Sequence, residues 1–370
     1  MTNGGRMAME AARVVKPGQI MARELEARGW SQKDLAEIMG RPIQAINEIV
    51  GGSKQITPNT AHELAQVFGT SPEFWMNLET NYRLHQAQKE SDSSDIPRRS
   101  KVYSLAPVKE LIKRAWIKPP ASVGDLEKSV CAFLEISSPD KEPEFEVAVS
   151  RRHSVERGPV DAAQIAMLKR AKHLVASQKV ARFDRKKFRT AIPQLLGCAK
   201  DMQSVAKVPK LLKDLGVRFA IVPSLPQSFL DGATFNLDGN PVIVLSLRYD
   251  RIDNFWFTFM HEIRHVYAGH RGIFVNNDLD QGSGSAEEKD ADDSAQDWLI
   301  DADRYKAFVN AARPYFSRQS IVKFSQDIGR HPGIVLGRLH HEKTVPYSHL
   351  RPMLEKVKLI LADWVDIAHA

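Results

Sequence analysis

Apolar residues recur at helical spacing through the first ninety residues, between clear start and stop signals. Ser31 can cap a helix from Gln32 to Met39, and Gly40 can end it. Thr57-Pro58 and Ser71-Pro72 each place a capping side chain before a proline at the first helical position. The apolar positions that would share one small core are Leu35, Ala36, Met39, Ile43, Ile46 and Ile49. The pattern therefore predicts an N-terminal domain of short helices.

Strand-like patterns begin only after residue 215. Residues 216–223 form a short apolar run, and the runs Ala233–Leu237 and Val242–Leu247 flank the turn Asp238-Gly239-Asn240, which is typical of a β-hairpin. Helical periodicity then returns from about Arg251 to Gly269. The chain is therefore predicted to have an α+β fold that is mostly helical, with a small β-sheet in its C-terminal part.

Composition divides the chain into four segments. Residues 91–100 belong to a polar stretch rich in Ser and Asp, which indicates a linker. Residues 1–90 precede it as the N-terminal domain. Residues 101–210 are predicted to be a helical connecting region, and residues 211–370 a C-terminal domain.

The net charge of +7 is unevenly distributed. Residues 161–215 hold thirteen basic and four acidic residues, a net +9, whereas residues 251–310 hold six basic and twelve acidic residues, a net −6. The basic block could meet phosphate, acidic protein or only water, and carboxylates in the acidic stretch could surround a cation.

Composition also excludes several classes of protein. Hydrophobic residues at 43% and charged residues at 26% are typical of a folded, soluble chain. The two cysteines, Cys131 and Cys198, cannot form a disulfide framework and suit a reducing cytosol. Because neither a signal peptide nor a stretch of about 20 apolar residues is found, a cytoplasmic protein with no membrane partner is expected.

A candidate metal site lies in the predicted helix that ends near Gly269. His261 and His265 are separated by one helical turn, so both imidazoles can bind one metal ion. Glu262 lies beside them, where it can take a proton from the attacking water. This HExxH pattern predicts a metallohydrolase, with Glu262 as the catalytic base.

A predicted helix at Glu287–Ile300 can supply the third metal ligand. Its inward face contains Ala291, Ala295, Trp298 and Leu299, and stepping back one turn from that face reaches Glu288. Glu288 is therefore the predicted ligand, with Glu287 and Asp290 as alternatives. Asp292, one turn later, could accept the outer imidazole proton of His261 or His265. Two imidazoles and one carboxylate favour Zn²⁺, with Mn²⁺ as the alternative.

These segments resemble the ImmA/IrrE metallopeptidase family. The similar stretches are FTFMHEIRHVYAGH at 257–270, EKDADDSAQDWLI at 288–300, LDGATFNLDGNPVIVLSLR at 230–248 and HPGIVLGRLHHE at 331–342. The resemblance implies a zincin-like fold and a cytosolic zinc endopeptidase that cleaves a partner transcriptional repressor in stress response or mobile-element control. By match, His261, His265 and Glu288 would be ligands and Glu262 the base. Three residues depart from the family pattern: Arg264 replaces a small residue, Asp290 replaces a glutamate, and Ser294 replaces a phenylalanine.

The N-terminal segment resembles HigA-like antitoxins of the XRE helix-turn-helix class. The similarity covers residues 30–84 and implies a five-helix domain that binds an operator in double-stranded DNA. Such proteins place their second helix in the major groove, and here that helix would be Pro42–Val50. The residues expected to face bases are Gln44, Ala45 and Asn47, and those expected to face phosphate are Lys33, Arg41 and Lys54. A homodimer is expected, because the domain itself carries no net charge.

The leading hypothesis joins these two modules in one regulator, with a DNA-binding antitoxin-like domain and a zinc-dependent endopeptidase domain. Its protein substrate would be a repressor or a toxin-system partner. The alternative is a non-catalytic HigA-type repressor or antitoxin whose metal site is vestigial or structural. Processing of oligonucleotides, using the basic block, ranks last because no phosphate-cradling loop or second metal cluster is found.

Overall fold

The structure, a computed structural model, describes residues 15–91, 95–143, 161–270, 274–277 and 286–366. The chain forms two units, Met1–Ile96 and Pro97–Ala370. Within the part of the chain that the structure describes, no helix is both long enough and apolar enough to span a lipid bilayer. Cys131 and Cys198 are buried and carry no disulfide bond.

The N-terminal unit contains five helices, as predicted. Ser31 caps the second helix in a capping box with Asp34, and Thr57 caps the fourth. Met21, Leu35, Ile46, Leu64 and Trp75 are among the residues that form its core. The helices are α1 (Pro17–Arg28), α2 (Gln32–Ile38), α3 (Ile43–Gly51), α4 (Pro58–Phe68) and α5 (Pro72–Ser91).

The larger unit is also mostly helical. Its helices are α6 (Ile96–Leu105), α7 (Val108–Lys113), α8 (Val123–Leu134), α9 (Ala162–Ala176), α10 (Arg185–Thr190), α11 (Ile192–Gly197), α12 (Met202–Val205), α13 (Val208–Asp214), α14 (Ile252–Ala268), α15 (Ala286–Leu299), α16 (Ala302–Ala312), α17 (Arg318–Asp327) and α18 (Pro332–His341). Short 3₁₀ segments lie at Cys198–Lys200, Arg351–Met353 and Ala362–Trp364. Helix α14 carries the HExxH residues, so its packing decides how that site is built.

A four-stranded sheet forms the centre of the larger unit. Its strands are β1 (Arg218–Ile221), β2 (Leu230–Leu237), β3 (Asn240–Leu245) and β4 (Phe274–Asn277), and they are arranged in the order β1-β3-β2-β4. Strand β1 pairs with β3 in parallel, and the other pairs are antiparallel. The predicted hairpin turn joins β2 to β3 through Asp238 and Gly239, both with positive φ, as the tight hairpin connection requires.

Alternation of side chains along the strands gives the sheet two buried faces. Ala220, Ala233 and Val244 lie on the face covered by α6–α9, within one hydrophobic cluster. Phe219 and Ile243 lie on the opposite face, in the cluster that includes the buried side of α14. The sheet therefore separates two helical layers, and α14 packs directly on one of its faces.

The predicted linker and connecting region differ from what the structure contains. Helix α6 begins at Ile96, inside the expected linker at 91–100, because the apolar face that includes Val102 packs into the core. No division falls at residue 210 either, since Phe188, Leu195 and Val205 share a core with α14. The expected connecting region at 101–210 is thus built into the larger unit on both faces of the sheet.

Candidate functional site

Helix α14 holds the HExxH residues in a fixed frame. It spans Ile252–Ala268, close to the predicted bounds, and ends at Gly269, whose φ of 76° is left-handed. Phe255 and Phe259 stack on its buried side, with ring centroids 5.8 Å apart. This packing fixes the rotation of α14, so that His261 and His265 face α15.

The structure brings His261, His265 and Glu288 together. The Nε2 atoms of the two histidines are 3.1 Å apart, and the Oε2 atom of Glu288 lies 3.1 Å from Nε2 of His261 and 3.9 Å from Nε2 of His265. All three side chains are buried. Three ligand atoms within 4.8 Å of one another can converge on a single cation.

Further hydrogen bonds orient the two imidazoles. Nδ1 of His261 donates to Oδ1 of Asp292 at 2.7 Å, as expected for that carboxylate. Nδ1 of His265 lies 3.0 Å from Nδ1 of His270, a contact that no pattern in the sequence predicted. Burial by itself would lower the pKa of His261, but hydrogen bonds to Asp292 and Glu288 raise it to about 10. The same negative charge favours a divalent cation at this position.

The side chain of Glu262 contacts β2. Its Oε2 atom accepts a hydrogen bond of 2.6 Å from the Thr234 hydroxyl, while its Oε1 atom is buried without a hydrogen-bond partner among the described residues. Burial raises the pKa of Glu262 to about 8. The charge of the neighbouring His261 lowers this pKa, but by less than burial raises it. An unpartnered buried carboxylate oxygen can accept a proton from a reactant.

Two of the three departures from the metallopeptidase pattern, Arg264 and Asp290, bind each other. Arg264 donates to Asp290 through Nε at 2.8 Å and Nη2 at 3.1 Å, and this interaction lowers the pKa of Asp290. Asp290 is therefore engaged outside the ligand set, and Glu287 is exposed. Of the three carboxylates considered as the third ligand, Glu288 is the one that faces both histidines.

The chemistry of this donor set fits the predicted metal. Two imidazole nitrogens and one carboxylate oxygen match the ligand types of catalytic zinc sites, and Mn²⁺ accepts similar donors. Glu262 lies next to this set on the same helix but is not one of the three grouped donors, which leaves its oxygen that is unpartnered among the described residues available for proton transfer. His261, His265 and Glu288 could therefore hold zinc.

The predicted base-facing residues lie on α3. Gln44 and Asn47 are exposed and Ala45 is half-buried, while Ile46 and Ile49 face the core. Gln44 donates to Glu48 at 3.1 Å, which restrains its side chain. The exposed side of α3 thus presents polar groups of the kind that read base edges.

The predicted phosphate-facing residues differ in whether an ion pair within the protein engages their side chains. Lys33 is exposed, and Lys54 is exposed with its Nζ atom 3.9 Å from Glu48. Arg41 instead forms a two-point ion pair with Glu63 at 2.6 and 3.0 Å, which raises its pKa. Arg41 therefore has a structural contact that its sequence position did not reveal.

Comparison with known proteins identifies the N-terminal unit. The family described as helix-turn-helix matches residues 21–75. YddM of Escherichia coli K12, an uncharacterized HTH-type transcriptional regulator, is 30% identical over 90 residues, covering 24% of this chain and 96% of that protein. Antitoxin HigA-1 of Vibrio cholerae is 35% identical over 68 residues, covering 18% of this chain and 64% of that protein. The chain belongs to the helix-turn-helix family through this unit.

Solved structures add a similar relative. An addiction module antidote protein of the HigA family from Coxiella burnetii is 37% identical, covers 23% of this chain and 95% of its own, and has a TM-score of 0.22. The sequence similarity to HigA-1 confirms the expected likeness of the N-terminal segment to HigA-type antitoxins. Each of these relatives matches less than a quarter of this chain.

Proposed function

We propose that this chain is a DNA-binding regulator of the HigA type whose larger unit is a zincin-like, zinc-dependent endopeptidase. Its substrate would be a regulatory protein, such as a repressor or a toxin-system partner, and the chain would act as a homodimer on its operator. The N-terminal part of this proposal is supported by similarity to HTH-type regulators and antitoxins. The peptidase part is supported by the geometry around α14.

The single observation that carries the peptidase proposal is that neighbouring side chains of α14 have different surroundings. His261 and His265 face Glu288, whereas Glu262 between them faces β2 with one buried oxygen unpartnered among the described residues. A purely structural metal site has no need of that carboxylate. Burying an unpaired carboxylate costs several kcal/mol unless a proton or ligand compensates it, so its presence favours catalysis.

The proposed reaction is hydrolysis of a peptide bond. His261, His265 and Glu288 would hold zinc, which when bound polarises a scissile carbonyl and lowers the pKa of water. Oε1 of Glu262 accepts a proton from the attacking water, whose oxygen forms the bond to the carbonyl carbon. The same atom then delivers that proton to the leaving nitrogen as the carbon–nitrogen bond breaks.

Thr234 and Asp292 have supporting roles in this proposal. The Thr234 hydroxyl bonds Oε2 of Glu262 and so keeps Oε1 directed towards the reactants. Asp292 holds the proton on Nδ1 of His261, which leaves Nε2 as the metal-binding nitrogen. Neither residue needs to contact substrate.

A single substitution tests the proposal. Cells that express the wild-type chain or Glu262→Gln are compared by mass spectrometry of protein N-termini, with Asp293→Asn, an exposed carboxylate of α15, as the control. We expect new N-termini that require Glu262 and persist in the control, while operator binding is unchanged in all three proteins. If no new terminus depends on Glu262, the chain is the non-catalytic repressor or antitoxin of the alternative hypothesis.

A further inference from the structure

A group of exposed cations lies beside the C-terminal end of α14. We call it the basic face and define it as Arg182, Arg185, Lys186, Lys187, Arg189 and Lys213. It lies on α10, on the segment before it and at the end of α13. Asp184 and Asp214 are the acidic residues among these positions, and Asp184 is engaged as the cap of α10.

Two members of the basic face attach it to the metal-site helix. Arg189 donates two hydrogen bonds, of 3.1 and 3.0 Å, to the carbonyl oxygen of Tyr267, and its guanidinium lies 4.7 Å from the ring centroid of the same residue. Arg185 packs so closely on Gly269 that a Cβ there would overlap its guanidinium. These cations compensate the negative carbonyl end of α14, so the fold itself accounts for them.

The remaining cations have no such role. The side chains of Arg182 and Lys186 are exposed and form no salt bridge or hydrogen bond with other described residues. Their backbone is nevertheless fixed, because the neighbouring Ala181 amide donates to the carbonyl of Lys213 and Asn240 donates to the carbonyl of Ala181. The basic face is therefore a rigid platform with unused positive charge, and its contacts with α14 fall at Tyr267 and Gly269, two and four residues after His265.

We infer that the basic face docks an acidic segment of a polypeptide substrate. The purpose of this docking rests on the proposed peptidase function, but the binding does not. Proximity to α14 means that a chain held there lies next to the metal site, and fixed charges raise both the rate and the specificity of such encounters.

The charges on the other side of Tyr267 favour a polypeptide over nucleic acid. Arg264 lies 5.1 Å from the Tyr267 ring and pairs with Asp290 of α15, a helix that also carries exposed Glu287 and Asp293. A duplex, with a phosphate charge for each ~1.7 Å of its axis, would bring uniform negative charge against those carboxylates. A narrower peptide can place acidic residues on the basic face and avoid α15.

Binding of a fluorescein-labelled polyglutamate peptide tests this inference by fluorescence anisotropy. The test protein is the full chain carrying Arg182→Glu and Lys186→Glu, since neither side chain forms a hydrogen bond or salt bridge with another described residue. The matched control carries Lys356→Glu and Lys358→Glu, which reverse the charge of two exposed lysines in the same unit. At low salt we expect about tenfold weaker peptide binding for the first variant and little change for the control.

Two results would overturn the inference. Equal losses in both variants would mean that the peptide senses net charge alone. An unchanged affinity for the peptide, with weaker binding of a DNA duplex without operator sequence, would make this a nucleic-acid surface. Peptide affinity is also measured for Glu262→Gln. This separates the docking proposal from the peptidase proposal, because the variant must still bind the peptide even if the chain cleaves nothing.

Discussion

Gly232 of β2 lies directly against the carboxylate of Glu262. A Cβ built on Gly232 would be 2.6 Å from Oε1 of Glu262 and 2.8 Å from the Thr258 side chain. Glycine is thus required here by close approach and not by an unusual backbone angle. The sheet and α14 come together at the one carboxylate to which we assign proton transfer.

Replacing Gly232 with alanine should abolish cleavage while leaving the metal ligands in place. The new methyl group must displace Glu262, and overpacking of this kind costs about 1–3 kcal/mol of stability. The three atoms nearest to a Cβ at Gly232 belong to Glu262 and Thr258 and not to a metal ligand, so zinc content should not change. Gly197→Ala is the control, because a Cβ there meets nothing within 4 Å. Normal cleavage by the Gly232→Ala protein would argue against Glu262 as the base.

Replacing Asp292 with asparagine should weaken zinc binding about 10–100-fold. The carboxylate accepts the Nδ1 proton of His261 at 2.7 Å, and an amide accepts that proton less strongly. Competition with a chromogenic chelator measures the change. Asp293→Asn, an exposed neighbour on the same helix, should retain the wild-type affinity. If both variants bind zinc equally well, Asp292 does not orient His261.

The helical phase of the sequence was enough to place Glu288 and Asp292 beside His261. A stripe of apolar residues in α15 indicated that Glu288 would face inward and that Asp292 would follow one turn later, and the structure has both next to His261. The caps and left-handed glycines of the N-terminal unit were equally readable, because they depend on neighbouring residues alone.

Contacts between segments that are distant in the sequence could not be predicted from helical phase or local patterns. Thr234 reaches Glu262 only because the sheet packs on α14, and no local pattern links the two residues. The expected linker at 91–100 is polar in sequence. However, Val102 of α6 packs into the core, and this packing extends α6 back into the expected linker as far as Ile96. The pairing of Arg264 with Asp290 likewise depends on how α14 and α15 pack together.

Replacing Asn47 with alanine should weaken operator binding by about 1–3 kcal/mol and relax base preference near its contact. Asn47 is exposed on α3, beside residues that face the core. Fluorescence anisotropy with operator and scrambled duplexes gives both affinities. Asn59→Ala makes the same change at an exposed position of α4 and should bind as the wild type does. If Asn47→Ala and Asn59→Ala prefer the operator over the scrambled duplex to the same degree, Asn47 of α3 does not contact bases.

Replacing Arg41 with alanine should reduce the stability of the N-terminal unit as well as DNA affinity. Its two-point ion pair with Glu63 joins the start of α3 to α4, and a partly exposed pair of this geometry contributes about 1 kcal/mol. Lys33→Ala, which removes an exposed cation, should affect only DNA binding. Thermal unfolding separates these effects, and unchanged stability of Arg41→Ala would make phosphate contact its sole role.

Glu135 should make the larger unit sensitive to acid. Burial alone would raise the pKa of Glu135, but hydrogen bonds and charges from Lys172 and Lys169 lower it to about 2. Because the folded-state pKa is below the usual value of about 4.5, this stabilisation is present above pH 4.5 and is lost as pH falls towards 2. Urea unfolding should show a steeper loss of stability in this window for wild type than for Glu135→Gln. Parallel pH profiles would contradict the assignment.

Metal content tests the central claim most directly. Purified wild-type chain, Glu262→Gln, His265→Ala and Glu288→Ala are each loaded with zinc, freed of excess metal and analysed by inductively coupled plasma mass spectrometry. We expect one zinc ion per chain in the wild type and in Glu262→Gln, and strong loss of zinc in the two ligand variants. Retention of a full zinc ion by both His265→Ala and Glu288→Ala would contradict a metal centre between α14 and α15.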